Sequence, residues 1–125
     1  MKIRSLTYFD NPGCPVEERF LKRSEVFQRE TGEHFARLGY EIQTIRFASP
    51  PFPLFLGHLA DDQIIAYAVQ LEELLQAQGY AYLALGPALP GSPASYRVIP
   101  DLIQATEATF CSGAMTEPAA GVSLP

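Results

Sequence analysis

Apolar and polar positions change period along the chain. KIRSLTYF, residues 2–9, is rich in β-forming residues and stops at Asp10-Asn11-Pro12-Gly13, a strong turn signal, which predicts a first strand. Beyond Pro15, Glu17 and Glu18 stand where a helix dipole favours anions, and Val16, Phe20, Phe27, Phe35 and Leu38 recur near helical spacing. That pattern predicts a helix ending at Gly39, because glycine accepts the left-handed backbone of a helix terminus, followed by a second strand over Tyr40 to Phe47. The sequence then repeats the arrangement. Asp61 or Asp62 can cap a helix with an apolar stripe of Ile64, Ala68, Leu71 and Leu75, Gly79 closes it, and YAYLAL, residues 80–85, reads as a third strand. A third helix is expected from near Ser95, with Pro100 in its first turns and Val98, Ile99, Leu102, Ile103, Thr106 and Phe110 on its buried face. A short fourth strand is expected around Cys111 to Thr116.

Single helices alternating with strands imply right-handed crossovers and a mainly parallel sheet, a β-α-β-α-β-α-β chain of the α/β class. Gly39-Tyr40 recurs as Gly79-Tyr80, each between an amphipathic helix and an apolar strand. Ile3, Leu6, Ile42, Ile45, Leu83 and Leu85, with the helix stripes, form the expected core. The strand order is left open.

The prolines sharpen this picture. Nine of the eleven follow a predicted strand (Pro12, Pro15, Pro50, Pro51, Pro53, Pro87, Pro90, Pro93 and Pro118), and none lies in a helix-to-strand connection. In a parallel sheet all strand-to-helix loops leave from one edge, so that edge carries stiff loops and the other carries tight glycine turns. Ligands of open α/β sheets bind at the carboxyl ends of the strands, the edge these prolines mark. Arg46, Thr44 and Gln43 are expected there on the second strand, Thr7 and Asn11 on the first, and Gly86, Ser92 and Ser95 in the loop GPALPGSPAS. Hydrogen-bond donors with one fixed cation suit a small carboxylate or phosphate. The plainer reading of Arg46 is an ion pair with Glu41 or Glu117, or simple solvation.

Composition removes several function classes. The 125 residues suffice for one domain with its own core. No apolar run approaches the length of a membrane span, and no secretory leader pattern opens the chain, so a cytoplasmic protein without membrane partners is expected. A net charge of −5, with nine dispersed basic residues, argues against nucleic acid. Arg19, Lys22 and Arg23 read as a solvated helix face. Cys14 and Cys111 lack the spacing of a zinc or dithiol site, His34 and His58 read as structural, and no nucleotide motif is present; no cofactor or metal is implied.

IRSLTYFDNPG, GYEIQTIRFASPPFP, YAYLALGPALPG, IPDLIQATEATFCSG and GVSLP together resemble the uncharacterised prokaryotic family catalogued as domain of unknown function 711, over most of the chain. The resemblance implies a fold similar to the ten-stranded β/α barrel of pyruvate formate-lyase and other glycyl radical enzymes. Family members are usually much longer, so residues 1–125 would be a single α/β domain forming the N-terminal portion of such an architecture, as a short relative or a truncated piece. No RVxG-type segment and no adjacent cysteine pair is present, so the resemblance does not extend to radical chemistry.

Two functional readings follow, and neither assigns a reaction. In the first, the carboxyl edge binds a small anionic metabolite. In the second, the domain is an assembly module, because a piece of a barrel leaves sheet edges and apolar faces uncovered and favours a homo-oligomer.

Overall fold

The computed structural model describes residues 1–117 and 121–122. Strand β1 (Lys2–Phe9) leads to helix α1 (Glu18–Arg37), and β2 (Glu41–Pro51) is followed by a short helix α2 (Phe52–Leu56) and by α3 (Asp61–Ala77). Strand β3 (Tyr82–Gly86), helices α4 (Ala94–Arg97) and α5 (Ile99–Ala105), and strand β4 (Thr109–Phe110) complete the main body. A small antiparallel pair, β5 (Thr116–Glu117) and β6 (Gly121–Val122), lies apart from the main sheet.

The four main strands pair in the order β1-β2-β3-β4 and all run parallel. Sequential parallel neighbours joined by crossovers of one hand place their helices on one side of the sheet, the layering of a β/α barrel segment. Side-chain alternation agrees: Ile45, Phe47, Leu83 and Leu85 are buried, whereas Arg46, between the first two, and Tyr82, just before Leu83, are exposed. The buried set packs against Phe20 of α1, Phe52 and Leu56 of α2, Ile64, Ala68, Leu71 and Leu75 of α3, and Val98 and Leu102 of α5. Each such large side chain stabilises the fold by roughly 1.5–3 kcal/mol through burial.

The sequence pattern locates this core well along β2, β3 and α3. It overstates the first strand, since Ile3 and Leu6, like Ile42, are only half-buried. Boundaries shift for identifiable reasons. Strand β2 runs on to Pro51, and α2, hidden in FPLFL among the prolines, is a short helix with proline in its first turn. The single third helix breaks into α4 and α5; Ile103 is exposed, and Phe110 belongs to β4. Asp61 and Asp62 lie in the first turn of α3, and the cap is Ala60, whose N–H donates to Gln63 Oε1 at 2.9 Å. Pro118 lies outside the described residues.

Two of the three amino-edge turns have one design. Gly39 (φ +84°) and Gly79 (φ +101°) adopt the left-handed conformation, and the next residue in each case donates back into the helix, Tyr40 N to Phe35 O at 2.9 Å and Tyr80 N to Leu75 O at 3.0 Å. Polar bonds then tie α1 to the α3–β3 turn. Ser24 Oγ donates to Gln78 Oε1 at 2.6 Å, Gln78 Nε2 donates to Leu21 O, and Tyr80 Oη donates to Ser24 O at 2.7 Å. Buried Glu72 of α3 accepts from the N–H groups of Glu107 and Ala108 and from Thr109 Oγ1, and so holds the start of β4.

At the carboxyl edge, Gly86 passes so close to β2 that an added Cβ would lie 2.3 Å from the Pro50 carbonyl carbon and oxygen. Its N–H donates to Ser49 Oγ at 3.0 Å, and that hydroxyl donates to Pro50 O at 2.9 Å. Replacing Gly86 by Ala is therefore expected to lower the stability measured by urea denaturation by about 1–3 kcal/mol, the range for forcing extra volume into a packed site. Gly91→Ala, at a position with open space around it, is the matched control and should change little.

Asp10 closes β1. Its carboxylate accepts from Tyr8 Oη at 2.7 Å, from Arg23 Nε at 2.9 Å and from the Asn11 N–H at 2.8 Å. Burial alone would raise this carboxyl, but the three donors and the Arg23 charge outweigh it and hold Asp10 below the ordinary carboxylate range. A depressed carboxyl contributes stability above its unfolded pKa of about 3.9, and that contribution is lost as pH falls through the folded value. Asp10→Asn should therefore be less stable than the native chain at pH 7, and the gap between the two urea midpoints should narrow as pH drops below about 4.

Candidate functional site

Open-face side chains form cross-strand rows fixed by the register. Thr7 pairs with Arg46 and Arg46 with Tyr82; one step towards the carboxyl edge, Phe9 pairs with Ala48, Ala48 with Ala84, and Ala84 with Phe110. The second row has two small residues in the middle and a phenylalanine on each edge strand. Phe9 is 75% exposed and Phe110 57%, values that make them the walls of an uncovered apolar trough. Tyr82 packs against Phe110 with ring centroids 5.5 Å apart, and the Arg46 guanidinium carbon lies 5.2 Å from the Tyr82 ring centroid. That distance is within the range of a cation–π contact.

Arg46 makes no ion pair among the described residues. Strand alternation sends Glu41 to the opposite face, which removes one of the two carboxylates that sequence proximity suggests, and the Glu117 side chain falls outside the described set. The cation–π contact with Tyr82 is not a hydrogen bond and does not consume the guanidinium N–H donors.

The predicted site residues separate into groups. Thr7 and Arg46 are neighbours, as the register requires. Thr44 shares their face nearer the amino edge, where its Oγ1 donates to Arg4 O at 3.0 Å. Gln43 projects from the helix side and does not join Arg46. The extension of β2 to Pro51 also moves Arg46 from the strand end to mid-strand, so it lies below the edge on the open face.

Asn11 does lie at the carboxyl edge. Its Oδ1 accepts from the Gly13 N–H at 2.9 Å, an Asx turn that shapes the β1–α1 loop. With Phe9, Asp10, Ala48, Ser49 and Pro50 it lines a cleft of about 310 Å³. Gly86 acts through its close approach to β2. Ser95 is buried; its Oγ donates to Ser92 O at 2.6 Å and accepts from the Leu89 N–H, while both serines border a separate hollow of about 80 Å³ beside α2. Larger hollows lie along α1, lined by residues such as Glu30, His34 and Arg37, but they are shallow troughs on one helix and gather no convergent donors.

Three features escape sequence spacing. Tyr82 reaches the open face because it alternates with the buried Leu83 and Leu85 of β3, whereas Tyr80, two residues earlier, precedes the strand and is buried in the turn after α3; Phe110 joins Tyr82 through the parallel β3–β4 register. Cys14 and His58, from the first and second strand-to-helix connections, meet with Sγ and Nε2 3.8 Å apart, across 44 positions of sequence. Burial raises the thiol of the other cysteine, Cys111.

Comparison with known proteins gives a family and no assigned chemistry. No curated protein and no solved structure matches the chain. Residues 2–125 match the family described as Uncharacterised ACR (DUF711), and with virtually the whole sequence covered the chain belongs to that family.

Proposed function

We propose that the domain binds a small anionic molecule on the open face of its parallel sheet, at and below the carboxyl edge. The observation that carries this reading is Arg46, an exposed mid-strand cation in cation–π contact with Tyr82, paired across the strands with Thr7, with no carboxylate partner among the described residues. A carboxylate or phosphate would accept from the guanidinium and from Thr7, and an apolar substituent would lie over Ala48 and Ala84 between the two phenylalanines. A charge-assisted bond contributes on the order of 1.5–3 kcal/mol, so one such contact orients an anion and several are needed to retain it. Asn11 and the Ser49–Pro50 backbone border the same edge and supply further polar groups.

A second reading is favoured by one observation, the exposure of Phe9 and Phe110 on the two outer strands of that face. It makes the face a self-association surface, with the phenylalanines of one copy covering the alanines of another.

Thermal denaturation in the presence of phosphate, acetate and benzoate tests the first reading. At least one anion should raise the midpoint of the native chain, and Arg46→Ala should abolish the rise without unfolding the protein; the absence of any shift would remove the reading's support. Light scattering across a concentration series tests the second. Association that Phe110→Ser weakens supports it, and a monomer at all concentrations counts against it.

A further inference from the structure

Cys14 and His58 are far apart in sequence and lie in connections that leave the same edge of the sheet. The backbone around Cys14 is held on several sides. Gly13 has φ +79°, its N–H is bound by Asn11, and its carbonyl accepts from Tyr67 Oη of α3 at 2.5 Å. Pro12 is buried, and its carbonyl accepts from the Glu17 N–H at 2.8 Å. Cys14 itself is half-buried against the core, while His58 is exposed to solvent. A thiol on a braced loop, with an imidazole nitrogen within sulfur hydrogen-bonding reach, has the two parts that nucleophilic thiol chemistry needs. The separation of 3.8 Å is long, as such contacts commonly are before a substrate tightens them.

We propose that Cys14 and His58 form a thiol–imidazole pair for acyl transfer, with a thioester or activated ester as the substrate class. In the tautomer with the proton on Nδ1, His58 Nε2 takes the Cys14 thiol proton as Sγ attacks the carbonyl carbon. The S–C bond forms, the bond to the leaving thiolate or alkoxide breaks, and the imidazolium returns the proton to that group. The product is a thioester on Cys14, released when water or an amine attacks the same carbonyl and regenerates the thiol. The proposal is independent of the Arg46 reading, since it draws on neither the open-face row nor a bound anion.

The test uses the full chain with Cys111→Ser, which leaves Cys14 as the one thiol, and p-nitrophenyl acetate at pH 7. The expected result is release of p-nitrophenolate with an acetyl group mapped to Cys14 by peptide mass spectrometry. Replacing His58 by Ala should slow that acetylation by about a hundredfold, within the usual range for loss of a general base, and His58→Gln should do the same. The exposure of His58 predicts that both variants keep the parent's thermal midpoint, so a slower reaction reports on the imidazole and not on folding. Equal rates in the parent and the His58 variants, a parent rate no higher than that of free cysteine, or an adduct on another residue would each overturn the proposal.

Discussion

The parallel pairing of β1, β2, β3 and β4 in sequence order is the constraint on which the other features rest. Each crossover returns the chain to the next parallel position with the same hand, so all the helices must cover one face. That face takes the apolar members of the alternation, Ile45, Phe47, Leu83 and Leu85, and the other keeps Thr7, Arg46, Tyr82 and the Phe9–Ala48–Ala84–Phe110 row. Parallel sheets ordinarily have both faces covered, because their strands are buried on both sides. A bare face carrying a cation and three exposed aromatic rings is therefore the unusual part of this molecule.

The same topology separates two kinds of connection. Two amino-edge turns are nearly identical, left-handed glycines that return the helix directly to the sheet at Gly39 and Gly79, and the third, from α5 to β4, is held by the Glu72 carboxylate. Carboxyl-edge loops are held by local polar bonds, Asn11 to Gly13 and Ser95 to Ser92 and Leu89, and Ser49 bonds both Gly86 and Pro50 at the strand ends from which they leave. Proline lowers the entropy such loops lose on ordering, and the serine and asparagine bonds satisfy backbone groups that no ladder reaches. Side chains mounted on these loops, Cys14 and His58 among them, are thus presented from a braced edge.

How much of this is legible in the sequence depends on the range of the interaction concerned. Local signals are reliable where one residue type dictates one conformation, as at Gly39, Gly79 and the Ile64–Leu75 stripe, and these define the α/β class. Signals fail where tertiary pairing overrides them. Pro50 and Pro51 read as a loop, yet the strand continues through them because Gly86 permits close approach beyond an irregularity in the β2–β3 register. Phe110 fits the helical period of residues 98–106, but β3 captures it through the Ala84 pairing. The site is legible to the same degree: Arg46 and Thr7 are identifiable as polar residues on strands, but only the register makes them neighbours, and only alternation excludes Gln43. The Cys14–His58 contact has no local signal at all, since it requires two loops to converge.

Arg46 also constrains what can cover the open face. Arg46 is exposed to solvent, and its contact with Tyr82 adds only about 0.5–1 kcal/mol, the range for an exposed cation–π contact. Any occupant that excludes water from the Phe9–Phe110 trough lowers the local dielectric around the neighbouring guanidinium, which strengthens a matched anion contact and penalises an unmatched charge. A purely apolar cover would leave Arg46 desolvated without a counter-charge. The physically consistent cover brings a negative group with it, as a free carboxylate or phosphate or as an acidic side chain of an associating surface. The anion and the associating surface proposed above would therefore answer one requirement, set by a single cation placed mid-strand on the exposed face of the sheet.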